Sequence, residues 1–96
     1  MSVTDLLQSK RSEILRIAEK HGVRNVRVFG SSVRGDATEG SDIDFLVEPT
    51  DETSPWFPAG LVEELERLLG RPVDVVTVES LYWLLRRRIL KEAKPL

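Results

Sequence analysis

Two short groups of residues in the first half of the chain are suited to phosphate chemistry. Gly30-Ser31 can form a turn whose backbone N–H groups and hydroxyl bind phosphate oxygens. Ten residues further on, Asp42 and Asp44 supply two carboxylates, the type of oxygen ligand that Mg²⁺ accepts in proteins. A triphosphate held at the turn and neutralised by metal ions at the carboxylates would be ready for displacement at phosphorus. The spacing therefore predicts a site for nucleotidyl transfer.

The two aspartates fall in a predicted strand from Asp42 to Glu48. Because successive side chains of a strand point to opposite faces, Asp42 and Asp44 would share one face, with Cα atoms about 7 Å apart. Two metal ions about 3.5 to 4 Å apart would fit an in-line displacement at this pair. A pair of exposed acids on an edge strand is the alternative interpretation. Arg34 and Ser41 lie nearby in sequence and add groups that can bind phosphate.

A third aspartate, Asp74, interrupts the β-branched run from Pro72 to Val78. An ionised aspartate among such neighbours would cost several kcal/mol unless something compensates its charge. We therefore expect Asp74 to lie beside Asp42 and Asp44, as a third metal ligand and a candidate general base. A hydrogen-bonded aspartate on an edge strand is the alternative.

Periodicity and capping signals predict the elements that would position these residues. In chain order we expect a helix capped by Ser2 or Thr4 that runs to about His21, a strand over Arg24–Phe29, a helical turn over Ser32–Gly35, a strand over Asp42–Glu48, a loop over Pro49–Pro58, a helix over Ala59–Leu69, a strand over Pro72–Val78, and a helix that Ser80 caps and that ends before Pro95. The apolar stripe of the last helix would consist of Leu81, Leu84, Leu85 and Ile89. Because every predicted helix has an apolar side, we expect an α/β (α+β) fold, with a small mixed sheet of three to four strands and helices mainly on one face.

Length and composition narrow the class of protein. The 96 residues, 41% of them hydrophobic, suit one globular domain over residues 1–96, with little wall left to enclose an acceptor substrate. A formal charge of −2 gives no indication of direct nucleic-acid binding, and a solvated helix face is the first interpretation of Arg86-Arg87-Arg88. There is no cysteine and no apolar run of the roughly 20 residues that cross a membrane, so the cytoplasm is the expected location.

A longer string around the candidate residues resembles a known family. Residues 29–37 read Phe-Gly-Ser-Ser-Val-Arg-Gly-Asp-Ala, and residues 40–47 read Gly-Ser-Asp-Ile-Asp-Phe-Leu-Val. With Asp74 on a later strand, this pattern resembles the DNA polymerase β-like nucleotidyltransferases, and the fuller string resembles their minimal nucleotidyltransferase (MNT) branch. The resemblance covers essentially the whole chain and implies the polymerase β-like core.

The same resemblance implies a role for each main candidate residue. Gly30 and Ser31 would hold the triphosphate of ATP. Asp42 and Asp44 would bind two Mg²⁺ ions, with Mn²⁺ as an alternative metal. Asp74 would complete the metal cluster and deprotonate the incoming hydroxyl group, so that the α-phosphate is attacked and pyrophosphate leaves.

The resemblance also implies a partner. MNT proteins are commonly the antitoxins of type VII toxin–antitoxin pairs, in which the toxin is a helical HEPN-domain RNase, and they resemble enzymes that transfer AMP from ATP to a tyrosine of that toxin. Two alternatives stay open. The chain could be a binding-only antitoxin that occludes the toxin, or it could form a homo-oligomer, a homodimer that adenylylates a small molecule with the second subunit supplying the missing wall.

Overall fold

The computed structural model of the protein describes residues 2–35 and 41–96, so residues 36–40, between the predicted helical turn and the predicted strand of the aspartates, lie outside the described part. In chain order the elements are α1 (Val3–Ser9), α2 (Arg11–Lys20), β1 (Val23–Phe29), α3 (Ser31–Arg34), β2 (Ile43–Pro49), α4 (Ala59–Leu69), β3 (Val73–Thr77), α5 (Trp83–Glu92) and β4 (Lys94–Pro95). The predicted mixture of helices and strands is confirmed. None of these helices is long and apolar enough to cross a membrane.

The four strands form one mixed sheet in the order β3-β2-β1-β4. β1 is antiparallel to both β2 and β4, whereas β2 and β3 are parallel. A parallel pair needs a crossover connection, and α4 lies in the connection between β2 and β3. The expected small mixed sheet is therefore confirmed, with a two-residue fourth strand that the sequence did not locate.

The hydrophobic core lies between one face of this sheet and the helices α1, α2 and α4. Ile43, Phe45 and Val47 of β2 point into it and are at most 1% exposed. The helices contribute Val3, Leu7, Ile14, Ala18, Leu61, Leu65 and Leu69. Because strand side chains alternate, the even-numbered residues of β2 point to the other face of the sheet. On that face Leu46 is fully buried, whereas Asp44, near the start of the strand, is half-buried.

The single first helix predicted from sequence is wrong, because the segment forms two helices that meet at Lys10 (φ −108°, ψ 9°). The cap at Ser2 is confirmed: Asp5 N donates to Ser2 Oγ at 3.1 Å, and Ser2 N donates to Asp5 Oδ2 at 3.3 Å. Thr4 lies inside α1. Both helices keep their apolar residues toward the same core, so the hydrophobic periodicity does not reveal the break.

The prediction for the last helix is also partly wrong. α5 begins after Tyr82, which makes no side-chain cap, while Ser80 Oγ accepts a hydrogen bond from Thr77 N at 2.9 Å within a turn. In the expected apolar stripe Leu81 is buried but precedes the helix, and Leu84 and Leu85 are 57% and 47% exposed. The helix does end before Pro95, as predicted. No residue of α5 is buried.

Candidate active site

Asp42 and Asp44 lie at the start of the central strand β2. Asp42 stands immediately before the strand and is exposed, and Asp44 is its second residue and is half-buried. Since Ile43 and Phe45 point into the core, the carboxylate of Asp44 is directed to the opposite face of the sheet. The alternation of side chains along β2 therefore determines on which face of the sheet Asp44 lies.

The third aspartate lies next to the second one. In the parallel pairing of β2 with β3, Asp44 is the register partner of Asp74, and neighbouring strands lie about 4.8 Å apart. Asp74 is exposed, whereas Val73 and Val75 on either side are buried. The expected cost of an ionised aspartate among β-branched neighbours does not arise, because strand alternation turns its side chain away from the buried valines. Its expected position beside Asp44 follows from the register instead.

The carboxylates influence one another electrostatically. The pKa of Asp44 is raised above its ordinary value of 3.8, first by partial burial and then by the negative charges of Asp74 and Asp42. The positive charge of Arg34 acts in the opposite direction. The three aspartates therefore form one cluster of negative charge on the open face of the sheet.

Gly30 connects the glycine–serine turn directly to this cluster. It caps α3 with φ 77° and ψ −149°, a backbone conformation that side chains rarely permit. A Cβ atom at this position would also collide with Oδ2 of Asp44. Phe29, the preceding residue, is the register partner of Asp44 on β1. The backbone conformation thus favours glycine here, and any other residue would also have to displace the Asp44 carboxylate.

The two serines after Gly30 differ in their surroundings. Ser31 is the first residue of α3 and is half-buried. The N–H groups of Val33 and Arg34 donate to the Gly30 carbonyl at 3.0 and 3.1 Å, so the first N–H groups of α3 remain outside the helical ladder. Ser32 is buried, and its Oγ has no hydrogen-bond partner within the described ranges. Ser31 is therefore the more accessible of the two serines.

Two residues that the sequence analysis did not single out contact candidate site residues. Glu92, the last residue of α5, accepts a hydrogen bond from Arg34 Nη1 at 2.7 Å. Arg71 Nη2 donates to the backbone carbonyl of Ser41 at 3.2 Å, just ahead of the aspartate pair. One feature of the sequence could have indicated Arg71, namely that it lies in the turn just before the strand of Asp74. No sequence pattern could have indicated Glu92, because its contact with Arg34 exists only once α5 has folded next to α3.

The donor set fits a hard divalent cation. Within residues 2–35 and 41–96, no group of three or more His, Cys, Asp or Glu side chains is arranged so that it could hold a metal ion. The candidate ligands are carboxylates, which suit Mg²⁺ or Mn²⁺. The repulsion that raises the pKa of Asp44 is the kind of interaction that a bound cation relieves. The chemistry of the three aspartates therefore fits the metal that the sequence predicted.

The aspartate cluster lies on an open surface. A cavity of about 590 Å³ is found elsewhere, where α1, α3 and β4 meet, and a smaller one of about 210 Å³ lies beside β2 and the end of β3. None of the three aspartates lines either cavity. Asp42 and Asp74 are instead exposed, so a bulky acceptor can reach them.

Comparisons with known proteins agree with this geometry. The family model described as "Nucleotidyltransferase domain" matches residues 11–96. The chain is 39% identical to the protein adenylyltransferase MntA of Thermococcus cleftensis over 90 residues, which cover 94% of this chain and 88% of the relative.

Two solved structures show the same fold. A candidate minimal nucleotidyltransferase superposes with a TM-score of 0.86 at 41% identity, covering 100% of this chain and 97% of the other. A chain from a mutant MntA–HepT toxin–antitoxin structure superposes with a TM-score of 0.71 at 25% identity, covering 90% of this chain and 70% of the other. Together with the family match, these likenesses establish that the chain belongs to the nucleotidyltransferase domain family, as a minimal nucleotidyltransferase of the MntA type.

Proposed function

We propose that this protein transfers AMP from ATP to a hydroxyl group of a partner protein, a tyrosine of a helical HEPN-type toxin, and so acts as the antitoxin of a type VII toxin–antitoxin pair. The observation that carries the proposal is the contact between two motifs. Gly30 packs against the carboxylate of Asp44, and Asp44 is paired in register with Asp74. The turn proposed to bind phosphate and the acids proposed to act in displacement at phosphorus are therefore adjacent.

Each candidate residue has a defined task in this reaction. Gly30 and Ser31 bind phosphate oxygens of ATP through the first N–H groups of α3 and the serine hydroxyl. Arg34 and Ser41 flank them and limit the movement of the triphosphate. Asp74 accepts the proton of the acceptor hydroxyl, whose oxygen then bonds to the α-phosphorus. The bond from this phosphorus to the bridging oxygen breaks, and pyrophosphate leaves.

Asp42, Asp44 and Asp74 are the residues that would hold two Mg²⁺ ions, or Mn²⁺ in their place. When bound, such ions supply neutralisation of the triphosphate charge. The half-buried position of Asp44 and the proximity of two further carboxylates support this assignment, because both features disfavour an uncompensated charge.

The relatives and the open surface support a protein as acceptor. A relative of similar length is named a protein adenylyltransferase, and a chain of an MntA–HepT toxin–antitoxin structure shares the fold. The exposed aspartates leave room for a side chain that another protein presents. A sequence without cysteine also suits a reducing compartment, and we place the reaction in the cytoplasm.

A transfer assay tests the proposal. The protein is incubated with ATP, Mg²⁺ and the toxin encoded beside it, and AMP on the toxin is measured by intact mass. We expect wild type to add AMP to a tyrosine, and Asp42→Ala combined with Asp44→Ala to lower the rate by more than the roughly 10- to 100-fold typical of losing a supporting residue. Asp51→Ala, which removes an exposed acid in a turn, is the matched control and should keep the wild-type rate.

The assay also separates the alternatives. If wild type inhibits the toxin but transfers no AMP, the protein acts by occlusion, and the enzymatic proposal is wrong. If AMP is found only on added small molecules, the acceptor assignment is wrong.

A further inference from the structure

α5 exposes large apolar side chains that a helix ordinarily buries. Trp83 is 70% exposed and Leu84 57%, and Tyr82, which caps the helix, is 60% exposed. The rings of Tyr82 and Trp83 lie 6.1 Å apart at their centroids and form a continuous aromatic patch. Single exposed apolar residues are normal on protein surfaces, but a contiguous patch usually marks an interaction site.

Basic residues extend this patch along the same side of the helix. Trp83, Arg87 and Lys91 are spaced four residues apart and therefore lie in one row, and Leu84 and Arg88 form the neighbouring row. Arg87, Arg88 and Lys91 are exposed. Neither Arg87 nor Arg88 forms an ion pair with any residue of the described ranges. We name Tyr82, Trp83, Leu84, Arg87, Arg88 and Lys91 the α5 platform.

The C-terminal end of α5 lies near the aspartate cluster, while its aromatic end follows the opposite end of β3. α5 connects β3 to β4, which are the two edge strands of the sheet, so this segment crosses the sheet from edge to edge. Its last residue, Glu92, contacts Arg34 at 2.7 Å, and the charge of Glu92 is felt at Asp44. A protein bound along α5 would therefore extend from the aromatic end of the platform toward the reacting groups.

The charges of the α5 platform indicate what kind of partner surface would complement it. An apolar and aromatic end followed by three exposed bases complements a surface with an apolar centre and an acidic border. A second copy of this chain fits less well, because Arg87 and Arg88 lie at the middle of α5. Two antiparallel α5 helices related by a two-fold axis would bring these like charges together. A solvated helix face, the first interpretation of the arginine run, does not explain why Trp83 and Leu84 are exposed.

We propose that the α5 platform docks the acceptor protein, and that this partner binds it through an apolar patch bordered by acidic residues. The inference rests on the proposed function in one respect, the identity of the partner as the acceptor. The platform then acts as a positioning surface, which binds the acceptor so that its hydroxyl faces the aspartates.

Binding without nucleotide tests the platform separately from catalysis. The dissociation constant for the toxin encoded beside this chain is measured by titration calorimetry for wild type, Trp83→Ala and Arg87→Glu. We expect each substitution to weaken binding about 10-fold or more, since aromatic and arginine residues dominate protein interfaces. Arg87→Glu should also reduce the salt dependence of binding. Arg87→Lys, which keeps the charge, should retain most of the affinity.

Two control variants match these changes in kind. Trp56→Ala removes a tryptophan that is 78% exposed in the loop before α4, outside the α5 platform, and Arg16→Glu reverses an exposed base on α2. Both should leave the dissociation constant within about 2-fold of wild type. Because Trp83 is itself exposed, the melting temperature of Trp83→Ala should equal that of wild type, so a loss of binding will not reflect unfolding.

The possible results separate the two proposals. Binding by wild type without AMP transfer would remove the proposed function and leave the platform in place. Unchanged affinity in both Trp83→Ala and Arg87→Glu, or a toxin that does not bind wild type, would overturn the platform. It would also be overturned if these substitutions instead dissolved a homodimer in size-exclusion experiments, or if they abolished binding only to vesicles of phosphatidylcholine and phosphatidylglycerol.

Discussion

Gly30 and Asp44 form one structural unit at the scale of single residues. The positive φ of Gly30 directs the chain from β1 into α3, and the position of a missing Cβ is filled by Oδ2 of Asp44. Two motifs that are separated in sequence are thus in direct contact. The sequence indicated that both belong to a phosphate site, but the contact itself becomes visible only from the fold.

Replacing Gly30 by alanine should harm the protein more than the same change at Gly35. Gly35 (φ 82°, ψ 8°) is left-handed helical, where alanine should cost about 1–2 kcal/mol of backbone strain. Gly30 (φ 77°, ψ −149°) lies close to a backbone region that is essentially restricted to glycine, so its strain should be larger. At Gly30 the new methyl group must also displace the Asp44 carboxylate, whereas nothing lies within 4 Å at Gly35. Urea unfolding measures the two free energies. Equal losses in both variants would show that Asp44 does not restrict position 30.

Asp44→Asn should stabilise the protein at neutral pH. Because the folded-state pKa of Asp44 is raised, protonation favours folding, and this contribution is complete below the ordinary value of 3.8 and is lost as the pH rises through the raised value. At neutral pH the wild type therefore carries an unfavourable charge that asparagine removes. We expect a gain of up to about 1 kcal/mol, since the site is open to solvent. Unfolding measured across a pH series should show that the difference in the free energy of unfolding between Asp44→Asn and wild type becomes smaller in acid. A difference that does not change with pH would contradict this explanation.

Added Mg²⁺ should reverse the order of these two proteins. A cation that binds the folded state stabilises it by mass action, and the carboxylate of Asp44 is one of its expected ligands. Titration with Mg²⁺ should raise the melting temperature of wild type and leave that of Asp44→Asn nearly unchanged. An equal increase in both proteins would remove Asp44 from the metal site.

At the scale of elements, local signals worked where an element lies over the core. α4 runs from Ala59 to Leu69 and ends at Gly70 in the left-handed conformation, as its periodicity and glycine stop predict. α5 has a similar apolar pattern, yet Leu84 and Leu85 stay exposed. Periodicity reports which residues could be buried together, but only the tertiary arrangement determines whether another element covers them.

Glu64→Gln should weaken the packing of α4 on α2. Glu64 Oε1 lies 2.7 Å from Lys20 Nζ and 3.2 Å from His21 Nε2. The hydrogen bond from Lys20, followed by the interaction with His21, holds the pKa of Glu64 below its ordinary value of 4.5. The stabilisation is therefore present above pH 4.5 and is lost as the pH falls through the lowered value.

Thermal unfolding at neutral and acidic pH measures this effect. Glu64→Gln should melt below wild type at neutral pH, and the two melting temperatures should converge in acid. Glu63→Gln is the matched control on the same helix, because among the described residues Glu63 pairs only with Arg67, and both side chains are 71% exposed. A loss in the control as large as in Glu64→Gln would assign the effect to general surface charge.

At the scale of the whole molecule, the site depends on parts of the chain that are distant in sequence. Most of the fold and the aspartate pair could be predicted, because strand alternation and helix periodicity are local properties. The position of Asp74 was also predicted, although for the wrong reason, since its side chain is exposed and the parallel register brings it to Asp44. Glu92 could not be found, because its contact with Arg34 requires α5 to cross the sheet. Contacts made by crossover segments are thus the part of this site that sequence patterns do not reveal.

The position of the label transferred from ATP tests the central claim most directly. Wild type is incubated with Mg²⁺, the proposed toxin partner, and ATP labelled at either the α-phosphate or the γ-phosphate. Nucleotidyl transfer at the aspartate cluster predicts that the α-label becomes bound to the toxin and that the γ-label leaves in pyrophosphate. Toxin labelled from the γ-phosphate would show phosphoryl transfer instead, and toxin labelled from neither would show that the protein does not act on it as an enzyme.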